Sequence, residues 1–322
     1  MALSNMKVFN EYLKRTTIET LAQDVEKFNA SSAGAIRLTT QGIDGDFLQE
    51  SFWAGLHGAQ RRVDRYAANG AQASTPLAQK QYDSVKIARG FGPILWEPSQ
   101  LSWIQKNPEE ALEVISRNLS EAIMADQLNT AISALAGAIG NQPGATNDVS
   151  ATAGVTYVAI NNAHALFGDA SQRLVAQVMT GAMYHKLVGQ NLANAERLFQ
   201  FSGVQVVDIL GKAVIITDAP ALYEAGTPNK QKVLSLADGA AVVMDGSDLI
   251  TNIETSNGKE RIETTMQADY TFGLGLKGYT WDTTNGGKSP TNAELSTGTN
   301  WDLVANSIKA SAGVLTIGDA TK

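Results

Sequence analysis

NPEEALEVISRNLSEAIMADQLNTAISALAGAI, residues Asn107 to Ile139, decides the fold. It reads as one helix about three times the usual length of roughly 11–12 residues. Asn107 is placed as the N-cap, and Pro108 at the first helical position gives up only an N–H that has no intrahelical partner. Glu109 and Glu110 lie where the helix dipole favours negative charge, with Glu110 spaced for a capping box. Gly137, Gly140 and Asn141 supply the stop, ahead of Pro143. At ~1.5 Å per residue such a helix runs roughly 50 Å.

Its large apolar residues form two stripes: Leu112, Ile115, Leu119 and Ile123, then Met124, Leu128, Ile132, Leu135 and Ile139. The five-residue step from Ile123 to Leu128 turns the second stripe about 140° from the first. The two halves are therefore expected to bury against different things, as in a spine joining two lobes. A long helix in any large fold, or two helices broken near Ala125, fits the same pattern.

Working outward, the chain of 322 residues can bury a sizeable core. Only 18% of it is charged, against about 25% in soluble domains. With 29 glycines beside so few charges, much of the surface is expected to be covered by neighbouring subunits. A net charge of −7 argues against a general nucleic-acid binder. The absence of cysteine excludes disulfides, thiolate metal sites and cysteine nucleophiles. The N-terminus lacks the apolar core of a signal peptide, and no run approaches the ~20 apolar residues of a membrane helix. Synthesis and folding in a cytosol are expected.

Residues 1–40 read as an arm: an amphipathic helix from Val8 to Phe28, then a small-residue linker, Ala30 to Ala35. Such a helix needs a partner surface, its own subunit's or a neighbour's. Residues 59–100 read as a two-stranded excursion, out along Gln60 to Tyr66 and back along Tyr82 to Arg89, around a small polar stretch from Ala67 to Gln79. Asn141 to Gly154 is a linker by composition. A mixed lobe follows, with a helix at Tyr157–Phe167, a strand at Leu174–Met179 and a helix capped by Thr180. Hairpins are expected around Gly211–Lys212, Asp238–Gly239 and Asn257–Gly258. Tyr270, Phe272, Leu274 and Leu276 alternate with Thr271, Gly273, Gly275 and Lys277, a strand whose bare face lets another backbone pass close. Residues 283–322 read as a peripheral tail. The class is α+β, not a doubly wound fold.

No catalytic set emerges. Gly273-Leu-Gly275-Leu-Lys-Gly278 matches a dinucleotide fingerprint in letters but lies inside a strand, without the helix N-terminus that would hold the phosphate. Gly287-Lys288-Ser289 ends like a phosphate loop, yet Asp282 occupies the first glycine position. His57, His164 and His185 are far apart in sequence, and Asp44, Asp46 and Glu50 offer at most a weak cation site or a solvated turn. Arg61, Arg62 and Arg65 are the tight basic cluster, open to solvent, to an acidic neighbouring subunit or to nucleic acid. No catalytic residue, cofactor or metal is assigned.

Several short phrases, taken in order, resemble the major capsid proteins of tailed bacteriophages with the Hong Kong 97-like fold, and within them the major capsid protein 13-like family. They are Asp44-Gly45-Asp46-Phe47, Glu50-Ser51-Phe52-Trp53, Arg61-Arg62-Val63-Asp64, Val85-Lys86, Leu128-Asn129-Thr130-Ala131-Ile132, Pro290-Thr-Asn-Ala-Glu294-Leu and Asn300-Trp301. The resemblance implies an N-terminal arm (1–40), an extended loop region (41–100), a peripheral domain with the spine helix (101–147 and 246–285), an axial domain (148–245) and a C-terminal tail (286–322). It implies hexamers and pentamers closing into an icosahedral shell around double-stranded DNA, in a virion assembled in the bacterial host cytoplasm. Any scaffolding protein would be a separate chain, with a portal and a decoration protein as further partners and no membrane. Arg61, Arg62, Arg65, Pro76, Lys80, Lys86 and Arg89 are the candidate inter-subunit contacts. The alternatives are an encapsulin-like nanocompartment shell enclosing cargo enzymes, and a soluble enzyme or an adhesin.

Overall fold

The computed structural model describes residues 3–42, 45–53, 60–68, 70–77, 79–198, 212–246, 248–257 and 260–322. Helix α1 (Leu3–Ser31) leads into strand β1 (Ile36–Gly42), then β2 (Phe47–Trp53) and the long β3 (Gln79–Trp96). Helix α2 (Pro98–Lys106) abuts α3 (Pro108–Gly140), followed by β4 (Thr146–Asp148), α4 (Tyr157–Leu166), β5 (Leu174–Met179) and α5 (Gly181–Leu198). Next come β6 (Ala213–Ile216), β7 (Tyr223–Glu224), β8 (Lys230–Ala237), β9 (Ala241–Asp245), β10 (Ile250–Ser256) and β11 (Glu263–Leu276). The chain closes with β12 (Tyr279–Trp281), α6 (Asn292–Ser296), β13 (Trp301–Leu303) and β14 (Gly313–Asp319).

The spine is a single unbroken helix of 33 residues, so no break falls near Ala125. Its start differs from the expected cap. The Asn107 side chain makes no capping hydrogen bond; its backbone N–H donates to Trp103 O and its carbonyl accepts from Ala111 N. Pro108 disfavours the helical region for the residue before it, so Asn107 ends α2 and opens α3 through its main chain. The halves do bury differently. α1 packs on α3 of its own subunit, with Phe9 and Leu13 buried. Beyond Gln127, α3 is buried on nearly all sides, because Ala131, Ala134, Ala136 and Ala138 fill the spaces between the large apolar residues. The stripe of large side chains was only part of the buried surface.

Two sheets flank this helix. The eight-stranded sheet runs β1-β9-β11-β12-β13, with β3 and β10 also on β11 and β2 on β3. The six-stranded sheet runs β4-β14-β8-β5-β6, with β7 on β8. Several expectations change accordingly. Asp238–Gly239 does not close a hairpin: β8 and β9 lie in different sheets, and the turn carries the chain between them, held by an Arg37–Asp238 ion pair at 2.7 Å. The stretch read as a linker after the spine contains β4, and the arm contains β1, paired in parallel with β9. The outgoing strand of the excursion is β2, whose Trp53 pairs with Gln79; residues 60–66 form no strand, since QRRVDRY offers one apolar residue and no buried face. β10 and β11 form the expected hairpin, though its loop runs from Asn257 to Ile262. β6 pairs in parallel with β5, and the first arm of the hairpin placed around Gly211–Lys212 lies outside the described residues.

Residues 283–322 are no tail. β14 sits between β4 and β8 with every residue buried. Before it, Thr291 and Glu294 form a capping box for α6, and Trp301 packs edge-on against Trp281 with ring centroids 4.8 Å apart. α6 presses on the end of the spine, so that a Cβ on Gly137 would collide with the Ser296 backbone. The bare face of β11 is also explained: a Cβ on Gly275 would meet the Tyr82 and Ser84 hydroxyls at 2.6 Å. Side chains of β3 fill that space, where the sequence had suggested a backbone.

Alanine is the better helix former by about 0.8–1 kcal/mol. Gly137→Ala is nevertheless expected to destabilise the unassembled subunit by roughly 1–3 kcal/mol, because the methyl group must displace α6. Urea unfolding checks this; a stabilised variant would show that α6 yields freely.

Candidate functional site

The seven candidate contact residues separate into two groups. Lys80, Lys86 and Arg89 point into their own subunit. The Lys80 ammonium donates to Val304 O at 2.7 Å and to Asn306 Oδ1 at 3.1 Å. Lys86 lies 3.6 Å from Asp248. Arg89 lies 3.3 Å from the Asp126 carboxylate, donates to Thr130 Oγ1 at 3.3 Å and also reaches Asn292. The Tyr270 hydroxyl donates to the same Asp126 at 2.7 Å; burial, then the acceptor carboxylate, raise its pKa above the usual phenol range. Arg89 thus joins β3, α3, β11 and α6 at one point. The sequence signal for it was thin: Asp126 stands among largely apolar neighbours.

Arg61, Arg62, Arg65 and Pro76 are exposed, in a stretch without regular structure where every described residue from Gln60 to Leu77 is exposed. Tyr66 is 100% and Val63 59% exposed. No ion pair holds any of the three arginines among the described residues.

Among the described residues no cluster of His, Asp and Glu could hold a metal, and no helix is long and apolar enough to cross a membrane. Asp46 is engaged by Lys288 at 2.6 Å, whose hydrogen bond and charge hold its pKa low; Asp44 and His57 lie outside the described residues. His185 is exposed. His164 is buried on α4, its Nε2 2.9 Å from Ser235 Oγ, and burial, then the charge of Lys212, lower its pKa to about 4. Gly273 and Gly275 lie within β11, away from any helix N-terminus. A cavity of about 320 Å³ lies between α1, α3 and the eight-stranded sheet, against Ile18, Leu21, Ile123 and Gln127; among its described walls the charged residues are Lys14 and Asp245.

The model of the major capsid protein 13-like family matches residues 5–315. The chain belongs to that family. Among solved structures, the capsid protein is similar to one from the cyanophage Pam1 capsid asymmetric unit, at 13% identity over 88% of each chain with a TM-score of 0.53. It is likewise similar to one from the acidic stable capsid of Helicobacter pylori bacteriophage KHP30, at 10% identity over 90% of this chain and 89% of the other, with a TM-score of 0.50. At such identities the likeness speaks to the fold, which is the Hong Kong 97-like capsid fold. No curated protein matches the chain. The capsid protein is a shell subunit of a virion, and the nanocompartment alternative is not favoured.

The family phrases now have physical roles. Pro290 to Leu295 form the cap and body of α6 against the spine, and the Asn300 and Trp301 side chains donate to Glu294 O and Leu295 O at 3.0 Å. Sequence reading missed Asp126 and Asp248, which lie far along the chain from the cations they pair with, and Tyr270, which donates to Asp126.

Two outcomes separate the groups. Arg89→Met is expected to cost the unassembled subunit about 1–3 kcal/mol, since it leaves the Asp126 carboxylate without its cation. Replacing Arg61, Arg62 and Arg65 together by alanine should change stability by less than about 0.5 kcal/mol; denaturant melts compare the two. His164 generates a pH dependence. Because its folded pKa lies below 6.5, its neutral form stabilises the fold above about pH 6.5, and that contribution is lost as pH falls toward about 4. His164→Gln should flatten the stability curve across this window, read by melting temperature against pH.

Proposed function

We propose that this subunit assembles as hexamers and pentamers into an icosahedral shell that encloses double-stranded DNA without reading its sequence, and that its role is structural with no catalysis. The observation that carries the reading is the match to a major capsid family over residues 5–315, on a fold whose described residues from 60 to 77 are all exposed. A stretch this long without structure is uncommon in a compact domain unless it has work outside it.

The six-stranded sheet with α4 and α5 is proposed as the axial domain around capsomer centres. The eight-stranded sheet with α3 is proposed as the peripheral domain, and the segment between β2 and β3 as the part of the extended loop that lies over a neighbouring subunit. This division returns β14 to the axial domain and gives β9 to the peripheral one. Assembly in the host cytoplasm, with separate scaffolding, portal and decoration proteins, fits the same reading. An excess of negative charge suits a lining that must release DNA at ejection.

Negative-stain microscopy of the expressed chain tests the reading: closed shells are expected, and a monomer at high concentration would sink it. Deleting Gly70 to Leu77, which leaves β3 whole, should give a folded subunit that fails to close shells. Normal shells from that variant would remove the loop assignment.

A further inference from the structure

The cavity between α1, α3 and the eight-stranded sheet is too large to be a packing defect. Its volume is about 320 Å³, in an interior where voids larger than a water molecule are few. Ile18, Leu21 and Val25 of α1 line one side, and Leu38 of β1, Ile123 of α3 and Val243 of β9 line the others. Ile18 and Ala22 are exposed and mark a mouth on the arm helix, whereas Leu38, Ile123 and Val243 are buried at the floor.

The polar groups of these walls divide into met and unmet. Thr17 Oγ1 donates to Leu13 O at 2.8 Å, the Tyr270 hydroxyl donates to Asp126 at 2.7 Å, and Thr271 Oγ1 donates to Asp248. Gln127 is different. It is 6% exposed, it lines the cavity, and its side-chain amide makes no hydrogen bond among the described residues. Thr39 Oγ1, on the β1 wall, is buried and likewise without a partner there. Buried amides are almost always paired, so one left beside a void calls for a partner outside the fold. Water fills that role poorly. At ~30 Å³ each, about ten waters would fit, and each needs two to four polar partners that walls of carbon do not supply.

We infer that this cavity is a binding site for a small, neutral, mainly apolar molecule whose hydroxyl group hydrogen-bonds the Gln127 amide. A hydroxyl suits an amide because it can donate to Oε1 or accept from Nε2. Neutrality follows from the walls. Lys14 is exposed and Asp245 half-buried, so the buried floor carries no charge. An ion lodged there would lose its hydration without a counter-charge. Size follows from the volume: an apolar cavity of about 150 Å³ accepts benzene, so one about twice as large takes roughly ten to twelve carbon atoms. Because α1 supplies one wall and the spine another, an occupant fastens the arm to the spine. The site does not depend on the shell reading.

2-Naphthol, a fused aromatic ring pair with a hydroxyl, is a suitable probe, and naphthalene is its control without the hydroxyl. Calorimetric titration of the unassembled full chain is expected to show saturable 2-naphthol binding, and the melting temperature should rise with probe concentration. Ala22→Trp, which puts bulk at the mouth from an exposed helix position, should abolish both effects. Gln127→Leu should weaken 2-naphthol by about two- to tenfold and leave naphthalene bound as tightly or more so. Circular dichroism confirms that each variant folds. No saturable binding by the wild-type chain would mean a cavity that holds only water, and would overturn the site. Equal binding by Ala22→Trp would place the probe elsewhere and overturn it too. Undiminished 2-naphthol binding by Gln127→Leu would overturn the role given to the amide. None of these readouts requires a shell to form, so their failure leaves the shell reading intact.

Discussion

Everything in this fold depends on one helix being buried from two sides. The second half of α3 meets the six-stranded sheet through β14 and is closed off at its end by α6, whose backbone presses on Gly137. A helix in that position has no solvent face to spare, so large side chains alone would overfill the space. Alternating Ile132, Leu135 and Ile139 with four alanines lets sheet and helix approach while apolar area stays buried, each large side chain contributing about 1.5–3 kcal/mol. The first half has a different partner in α1, and its outer face is left to solvent in the isolated subunit. One continuous helix therefore couples a buried anchor to an exposed surface.

The connectivity makes that anchor non-local. β8 and β9, adjacent in sequence, enter different sheets at Asp238–Gly239. β1, from the start of the chain, pairs with β9, and β14, from its end, completes the six-stranded sheet between β4 and β8. The eight-stranded sheet cannot be finished without β1, nor the six-stranded one without β14, so folding must close long loops before their contacts reward it. The Arg89 junction is non-local too: it ties β3 to the spine.

What the sequence disclosed follows from which signals are local. The length and continuity of the spine, the strand Leu174–Met179 and the alternation of Tyr270 to Leu276 could be read because each carries its own periodicity over many residues. β14 could not, since Gly313 to Asp319 is short, set among small polar residues, and earns its complete burial only from neighbours at 146–148 and 230–237. The Asp238–Gly239 turn was legible as a turn, but which sheet each flanking strand joins is decided elsewhere. The same holds for the candidate contacts. Arg61, Arg62 and Arg65 remained open because nothing near them in sequence could pair with them, and the structure keeps them exposed. Lys80, Lys86 and Arg89 looked equally open, yet their partners are Val304, Asp248 and Asp126, brought in by the topology.

A shell of identical acidic subunits poses an electrostatic question, since each copy carries −7 and copies should repel. The magnitudes answer it. At physiological ionic strength the Debye length is about 8 Å, so net charges separated by a subunit's width are almost fully screened. Opposite charges meeting within about 4 Å across a contact are not, and they gain further as the interface excludes water. Local arrangement therefore outweighs the total.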